Sequence, residues 1–374
     1  MQPAPDRIRA ALATVNDPEI RRPITDLDMV KDVRIDGGDV TVELWLTVAG
    51  CPMRDTLTRD VTRAVSTVDG VIGVRVVMDV MSAEQRQALQ HKLRGGAAEP
   101  VIPFAQSESL TKVYAVASGK GGVGKSSVTV NLAASLAANG LSVGVLDADV
   151  YGHSVPRMLG ATARPTQVEQ MIMPPTANGV KVISIGMFVE GNPAVVWRGP
   201  MLHRVLQQFL ADVFWGDLDV LLMDLPPGTG DIAISLAQLV PSAEILVVTT
   251  PQLAAREVAE RAGSVALQTH QRIRGVVENM AGLPCPHCGE LIDVFGSGGG
   301  SAVADSLTQL TGASVPLLGS IPIDVRLREG GDTGTPLVLA DPDAPAALSL
   351  RKIADELATA ARGLAGRSLG ISPA

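Results

Sequence analysis

The sequence predicts an α/β protein in which a doubly wound, mostly parallel sheet forms the main domain and a small α/β (α+β) domain precedes it. From Thr111 onward, short apolar runs alternate with longer helical patterns, which is typical of a parallel sheet with helices on both faces. The chain is 46% hydrophobic but only 3% aromatic, so Val, Leu, Ile and Ala must fill most of the core. That composition favours strands that are buried on both sides.

A break in the pattern separates the two domains. Gly95, Gly96, Pro100 and Pro103 interrupt regular structure and indicate a linker over residues 95–109. We therefore expect a small domain at residues 1–94, the main domain at 110–365 and a tail at 366–374. The length of 374 residues suits two or three domains.

Within the small domain, apolar spacing predicts helices and strands in alternation. Ile8, Leu12 and Val15 recur at helical spacing after Asp6, which can cap the helix. Residues 40–48 alternate apolar and polar side chains, which predicts a strand with one buried face. A helix over 53–68, a strand over 71–80 and a helix over 82–93 follow.

The main domain reads as seven strands and six helices. We predict strands at Val113–Ala117, Val143–Leu146, Val182–Ile185, Val220–Met223, Ile245–Thr249, Ile273–Val277 and Leu317–Ile321. We predict helices near residues 125–138, 200–213, 231–239, 252–269, 300–310 and 344–362. The last helix carries few basic residues on its polar face, so its apolar face is expected to pack on the sheet rather than on a membrane.

Charge and cysteine content restrict the binding partners and the cellular compartment that we expect. A net charge of −8 argues against binding of nucleic-acid backbones or of an anionic membrane surface. The three cysteines are a poor disulfide framework, which favours a reducing, cytoplasmic compartment. We expect no secretory signal, because the N-terminal residues include Asp6 and lack an apolar core segment, and no run approaches the ~20 apolar residues of a membrane helix.

The run from Gly119 to Ser126 fits the phosphate-loop pattern G-x-x-x-x-G-K-[ST]. A strand leads into it and a helix leaves it, which is the context that the pattern requires, and a Gly-rich turn without nucleotide is the alternative. Lys125 is expected to reach the β- and γ-phosphates of ATP, and the Ser126 hydroxyl to ligate Mg²⁺. The expected nucleotide-binding residues here are Gly119, Lys120, Gly121, Gly122, Val123, Gly124, Lys125, Ser126 and Ser127.

Three aspartates lie at or just after the ends of two predicted strands, at the edge where open α/β sheets bind ligands. Asp224 closes an apolar strand of Walker B form and is expected to hold Mg²⁺ through a water. Asp147 can support the Mg²⁺ shell, and Asp149 can orient the attacking water. For Asp147 and Asp149 a helix cap or turn is the alternative role.

The whole string Gly-Lys-Gly-Gly-Val-Gly-Lys-Ser resembles the deviant Walker A loop of the MinD/nitrogenase-iron-protein/ParA group. The resemblance implies that Lys120 reaches across a dimer to the partner's nucleotide, whereas charge and spacing alone do not imply that role, and a solvated surface lysine is the alternative. It also implies that Asn279, after the predicted strand at 273–277, contacts the adenine ring. The local spacing of Asn279 equally fits a simple turn.

Cys285 and Cys288 form a CxxC motif in a Gly/Pro-rich loop. Two thiolates can hold one metal centre, but an iron–sulfur cluster or structural zinc usually has four ligands. The chain has no second CxxC, so the simplest completion is two chains donating a pair each across a two-fold axis. A bridging zinc, a redox dithiol and two unrelated buried cysteines are the alternatives, and His287 is expected to be exposed.

Together the deviant loop, the two Asp motifs and the CxxC resemble the Mrp/ApbC family of iron–sulfur cluster carriers over residues 110–365. The segments 17–20, 27–30 and 47–53 resemble the small domain of iron–sulfur assembly factors. Asp28 replaces a glycine that is usual there. Cys51 lies before a predicted helix, which can lower a thiol's pKa, so it is either a transient ligand or a buried structural cysteine.

The resemblance implies a homodimeric ATP hydrolase, with ATP, Mg²⁺ and a [4Fe–4S] cluster as cofactors. Lys120, Lys125 and Asp149 would serve catalysis, and Cys285 and Cys288 would hold the cluster across the dimer. ATP binding and hydrolysis would control the dimer, and the cluster would pass to apoproteins, with scaffold proteins of cluster assembly as further partners. A MinD/ParA-like positioning ATPase and a metal-insertion ATPase are the alternatives.

Overall fold

The computed structural model describes residues 3–18, 20, 22–47, 53–93, 101–106, 108–149, 152–169, 171–188, 199–228, 231–252, 255–285 and 287–359. The chain divides into two compact units. The first comprises Met1–Val101, Pro165–Pro174 and Asp212–Gly216, and the second comprises the rest. The predicted domain boundary near the linker stays a prediction, because residues 94–100 lie outside the described ranges.

The first unit is built on a three-stranded sheet in the order β1-β2-β3. Its elements are α1 (Pro5–Leu12), β1 (Val30–Asp36), β2 (Asp39–Leu46), α2 (Arg54–Ser66), β3 (Gly73–Val80) and α3 (Ala83–Leu93). Strand β2 pairs antiparallel with β1 and parallel with β3. The predicted helices and strands of this region are all present, and β1 is the strand that the sequence analysis missed.

A short hairpin from later in the chain completes the core of the first unit. The hairpin pairs Thr166–Val168 with Met171–Met173. Val168, Met171 and Met173 are at most 2% exposed and lie in the same apolar cluster as Leu44 and Val61. An ion pair of 2.9 Å joins Arg86 on α3 to Glu169 in the hairpin turn. These residues lack the long periodic runs that indicate strands, so their place in this core was not predictable from spacing.

Asp28 occupies a position with left-handed backbone. Its φ is 54°, a region in which Asp is among the few tolerated residues besides Gly. Its carboxylate pairs with Lys92 at 2.7 Å on the exposed surface. The replacement of the usual glycine therefore leaves the turn intact.

The second unit contains the large sheet. Its strands are β4 (Lys112–Ala117), β5 (Val143–Asp147), β6 (Thr176–Ala177), β7 (Val180–Ser184), β8 (Val220–Asp224), β9 (Glu244–Thr249), β10 (Ile273–Asn279), β11 (Leu283–Pro284), β12 (Leu291–Ile292) and β13 (Leu317–Ile321). Its α-helices are α4 (Lys125–Ala138), α5 (Val155–Met158), α6 (Gly199–Ala211), α7 (Asp231–Leu239), α8 (Ala255–Thr269), α9 (Gly299–Thr311), α10 (Val325–Thr333), α11 (Leu337–Ala340) and α12 (Pro345–Thr359).

The large sheet has eight strands in the order β13-β10-β9-β4-β8-β5-β7-β6. All pairings are parallel except that of β6 with β7. The prediction of a doubly wound, mostly parallel sheet is thus confirmed. Every residue of β5, β7 and β8 is buried. Because successive side chains of a strand point to opposite faces, both faces of the sheet are covered there.

Helix α4 lies at the centre of this unit. Ten of its residues are buried, including the polar Thr129, Asn131 and Ser135, so it lacks the exposed polar stripe of a surface helix. On α12, the predicted apolar face of Leu350, Ile353 and Leu357 is fully buried in the same cluster. Within the described residues, no helix combines the length and apolar character needed to cross a membrane.

Candidate functional site

The phosphate loop joins β4 to α4 and turns on two glycines with left-handed backbone. Gly122 and Gly124 have φ values of 80° and 78°, which side-chain-bearing residues rarely adopt. Gly124 is also tightly enclosed, since a Cβ there would lie 2.3 Å from Nδ2 of Asn279. Helix α4 begins at Lys125 without a side-chain cap, so its first backbone N–H groups are available to an external acceptor. Such a helix start suits a phosphate group.

Asp224, at the end of β8, gathers three side chains from α4. The ammonium of Lys125 lies 2.7 Å from Oδ2 of Asp224. The Ser126 hydroxyl donates to the same oxygen at 2.6 Å, and the Thr129 hydroxyl donates to Oδ1 at 2.7 Å. Asp224 is fully buried. The predicted Walker B aspartate therefore contacts the predicted phosphate-binding lysine and Mg²⁺-binding serine directly.

The donor set at this point fits a nucleotide with its magnesium ion. Nζ of Lys125 is buried and, despite its ion pair, makes no well-aligned hydrogen bond to the described residues. Oδ2 of Asp147 is buried and likewise lacks a partner within the described chain. A phosphate oxygen can accept a hydrogen bond from Nζ of Lys125. A hard cation prefers carboxylate and hydroxyl oxygens such as those of Asp147, Asp224 and Ser126.

Asp147 stands opposite Asp224 in the parallel pairing of β5 with β8. Burial, together with the charge of the Asp224 carboxylate, raises the pKa of Asp147 to about 8. The ammonium of Lys125 acts in the other direction with a smaller effect. Two carboxylates and one ammonium thus share a nearly dry pocket, an arrangement that favours one proton or one cation on the acidic pair.

Asp149 closes a turn directly after β5. Its N–H donates to Oδ1 of Asp147 at 3.1 Å, and its own Oδ1 accepts from the N–H of Gly152 at 3.0 Å. The turn role that the sequence left open is therefore present. The role of Asp149 in orienting the attacking water stays a prediction.

The start of the phosphate loop is held by the segments that follow β8 and β9. The N–H of Gly228 donates to the carbonyl of Ser118 at 2.9 Å. The ammonium of Lys120 donates to Oε1 of Gln252. Lys120 therefore has a partner on its own chain, and its predicted reach to a second copy stays a prediction.

Asn279 contacts the phosphate loop rather than standing apart from it. Its Nδ2 donates to the carbonyl of Val123 at 2.9 Å, and its side chain is almost fully buried. Because 156 residues separate the two partners, local spacing does not predict this contact. Contact of Asn279 with adenine stays a prediction.

A cavity of about 600 Å³ opens beside the end of the phosphate loop. The predicted nucleotide residues Gly124, Ser127 and Asn279 line it. It also contains residues that the sequence analysis missed, among them Ser154, Arg157, Met280, Phe295, Pro322, Ile323, Asp324 and Arg328. Several of these follow the ends of β10 and β13, and the rule that ligands bind at the carboxyl ends of parallel strands is the signal that could have found them.

Cys285 and Cys288 lie on a short hairpin, which we call the cysteine hairpin, formed by residues 281–298 between β10 and α9. Strands β11 and β12 pair within it, and the Cys285 N–H donates to the Glu290 carbonyl at 2.8 Å. Cys285 is half-buried, while Cys288 and His287 are exposed. The predicted loop thus contains a short ordered ribbon, and His287 is exposed as expected.

The environment of Cys285 favours a thiolate. Backbone N–H groups of His287 and Cys288, followed by the Cys288 side chain, lower the pKa of the Cys285 thiol. Thiolates are the form that binds metals. Within the described residues, no three His, Cys, Asp or Glu side chains gather as a metal site. Cys51 lies outside the described residues.

This fold and loop define the class of the protein. A parallel sheet carries a Gly-rich loop before a helix, and a buried strand-ending aspartate contacts the loop's lysine and serine. The protein is accordingly a P-loop NTPase of the type that carries a second lysine in its phosphate loop, and an ATP hydrolase.

Comparisons with known proteins give the particular family. The model of the family described as NUBPL iron-transfer P-loop NTPase matches residues 109–358, and that described as iron-sulfur cluster assembly protein matches residues 5–76. The iron-sulfur cluster carrier protein of Mycobacterium bovis is 66% identical over 367 residues, covering 98% of this chain and 96% of its own. That of Bacillus subtilis is 40% identical over 321 residues, covering 85% and 88%.

Among solved structures, the nucleotide-binding protein of Archaeoglobus fulgidus in complex with ADP is similar with a TM-score of 0.53. It is 34% identical and covers 64% of this chain and 95% of its own. The chain belongs to the family of iron–sulfur cluster carrier P-loop NTPases, with an N-terminal iron–sulfur assembly domain. The resemblance on which the sequence analysis relied is confirmed.

Proposed function

We propose that two copies of this chain hold a [4Fe–4S] cluster as cargo between their Cys285 and Cys288 thiolates and pass it to apoproteins. The observation that carries the proposal is the cysteine hairpin, which presents a pair of accessible thiols from the same sheet edge as the phosphate loop. One copy offers two sulfurs, whereas a cluster of this kind takes four, so a second copy completes the site.

ATP would bind at the phosphate loop, and the similar Archaeoglobus nucleotide-binding protein was solved in complex with ADP. Lys125 and the N–H groups at the start of α4 would hold its phosphates. Mg²⁺ would sit at Ser126 and Asp224, with Asp147 close by, and would neutralise charge on the phosphate oxygens. Asn279 would face the base.

Lys120 would act from one copy on the nucleotide of the other, so that hydrolysis requires the dimer. In the isolated chain its ammonium bonds to Gln252. Mixing a Lys120→Ala copy with a Lys125→Ala copy tests the arrangement, because only a shared site lets the mixed dimer recover hydrolysis. A Lys120→Ala chain that hydrolyses ATP as fast as the natural chain would contradict it.

The setting that we propose is the cytoplasm, because paired free thiols and an oxygen-sensitive cargo both suit a reducing compartment. Scaffold proteins of cluster assembly would supply the cargo, and apo iron–sulfur proteins would receive it. The N-terminal unit, which matches an assembly-factor domain, is the natural place for contacts with such partners.

Anaerobic reconstitution with iron and sulfide tests the cargo site. The natural chain should bind one [4Fe–4S] cluster per dimer, seen by absorbance and by iron and sulfide counting. Cys285→Ala/Cys288→Ala should bind none, while His287→Ala, which changes the exposed side chain between them, should bind normally. Equal cluster content in the double variant would refute the site. Zinc in protein purified without air, with no cluster on reconstitution, would favour a bridging zinc instead.

A further inference from the structure

The cysteine hairpin and the nucleotide cavity share a wall. Phe295, near the end of the hairpin, lines the cavity together with Gly124 and Ser127 of the phosphate-loop region. Phe295 is 38% exposed although its side chain is large and apolar. Leu291, Ile292 and Val294 of the same hairpin are also exposed, at 60%, 50% and 49%, and a group of exposed apolar side chains commonly marks a binding surface.

The hairpin is attached firmly at its first residues. The Ala281 N–H donates to the Ile321 carbonyl at 2.9 Å, and the Ile323 N–H donates to the Gly282 carbonyl at 2.7 Å. Ile323 itself lines the cavity. The strand that leads into the hairpin also ends in Asn279, which donates to the phosphate loop.

The start of α9, directly after the hairpin, is attached as firmly. The N–H of Gly300 donates to Oε1 of Glu278 at 2.7 Å, and the Ser320 hydroxyl donates to Oε2 at 2.8 Å. Gly299 lies so close to the strand-end carbonyls of Thr250 and Pro251 that a Cβ would approach them within 2.7 Å. Because both ends are fixed to the sheet edge, contacts in the segment between them must govern how the thiols are presented.

We propose that Phe295 is a positioning residue that packs against the base of the bound nucleotide and thereby links nucleotide occupancy to the placement of Cys285 and Cys288. An aromatic ring stacks on any base through its face, and the cavity runs from the phosphate-binding helix start to this ring. Phe295 lies ten residues beyond Cys285 and three residues beyond Ile292, where the pairing of β11 with β12 ends, so restriction of the ring would restrict the hairpin that carries the thiols. The inference rests on the proposed function only for the identity of the cargo that the thiols hold. The effect of nucleotide on the two thiols does not depend on that cargo.

Thiol reactivity in the full-length chain tests the link without any cluster. In a Cys51→Ser background, the rate at which dithiobis(nitrobenzoate) modifies Cys285 and Cys288 is measured with and without saturating Mg·ADP. Nucleotide should slow the reaction of the natural hairpin. Phe295→Ala should bind Mg·ADP about tenfold more weakly by calorimetry, as loss of one stacked aromatic predicts, and at saturation should show no slowing.

Two further variants separate stacking from general damage. Phe295→Tyr keeps the ring and should behave as the natural chain. Leu291→Ala removes an exposed apolar side chain of the same hairpin. This side chain does not line the cavity, so the variant should also keep the nucleotide effect.

Failure of the proposed function alone would appear as absent cluster binding with the nucleotide effect on the thiols intact. Nucleotide affinity unchanged in Phe295→Ala, slowing that persists in it at saturation, or thiols of the natural hairpin that do not respond to nucleotide would each overturn the inference.

Discussion

We expect Asp147 to make the stability of the nucleotide-binding unit fall as pH rises. The substitution Asp147→Asn should abolish this dependence. Burial and the Asp224 carboxylate raise the pKa of Asp147 from 3.8 to about 8. Between these values the folded state binds a proton that the unfolded state has released, so the free energy of unfolding falls as pH rises. The slope is about 1.4 kcal/mol per pH unit, and the loss approaches ~5 kcal/mol by pH 8.

Asp147→Asn keeps an oxygen for the Asp149 N–H and does not titrate. We therefore expect the variant to gain stability relative to the natural chain by ~4 kcal/mol between pH 5 and pH 8. For a unit of this size that corresponds to a difference in Tm that widens by roughly 10 °C. Below about pH 3 the carboxyl is protonated in both states, and the difference should be constant.

Differential scanning calorimetry in EDTA, without nucleotide, measures the Tm of the natural chain and of Asp147→Asn at one-unit steps of pH. The relevant transition is the one that Mg·ATP shifts in a separate scan, because ligand binding stabilises only the unit that binds it. Asp149→Asn removes a neighbouring, half-exposed carboxylate and should keep the natural slope. Parallel Tm profiles for Asp147→Asn and the natural chain would refute the reasoning.

Three other results are expected. Gly124→Ala should cost about 2–4 kcal/mol of stability and abolish nucleotide binding by calorimetry, because its φ is left-handed and its Cβ would displace Asn279; unchanged binding would contradict this. Met171→Ala should cost about 2–5 kcal/mol and lower only the thermal transition that Mg·ATP does not shift, since Met171 is buried in the core of the first unit; movement of the nucleotide-shifted transition instead would show that this assignment is wrong. In Cys51→Ser/Cys288→Ser chains, the Cys285 thiol should react with iodoacetamide at pH values below the ordinary thiol range, because the His287 N–H stabilises its thiolate; a rate profile like that of free cysteine would contradict it.

Much of the second unit was predictable because its signals are local. Strands such as Val220–Asp224 are continuous apolar runs that must be buried on both faces, and helix 125–138 follows at once from the phosphate-loop pattern. Short elements with few residues, such as the cysteine hairpin and α5, carry too little periodicity to be recognised. The predicted strand at 182–185 also begins two residues too late, since the observed strand is Val180–Ser184.

The candidate site was predictable by residue type but not by arrangement. The sequence showed that Lys125, Ser126 and Asp224 would serve one site, because a phosphate loop and a strand-ending aspartate belong together in this chemistry. It did not show that Thr129 also donates to Asp224, or that Asn279 supports the loop at Val123. Those contacts depend on which strands are neighbours in the sheet, and local spacing does not encode strand order.

The sequence by itself determined the phosphate loop, the alternation of strands and helices, and the CxxC pair, because each is a pattern within a few residues of backbone. Only the tertiary structure decided that Asp147 faces Asp224 across a parallel pairing and that Phe295 lines the cavity beside the phosphate loop. It also decided that a hairpin at 166–173 joins the core of the first unit. These are contacts between distant segments, whose positions follow from packing of the whole chain and leave no periodic mark in any one segment.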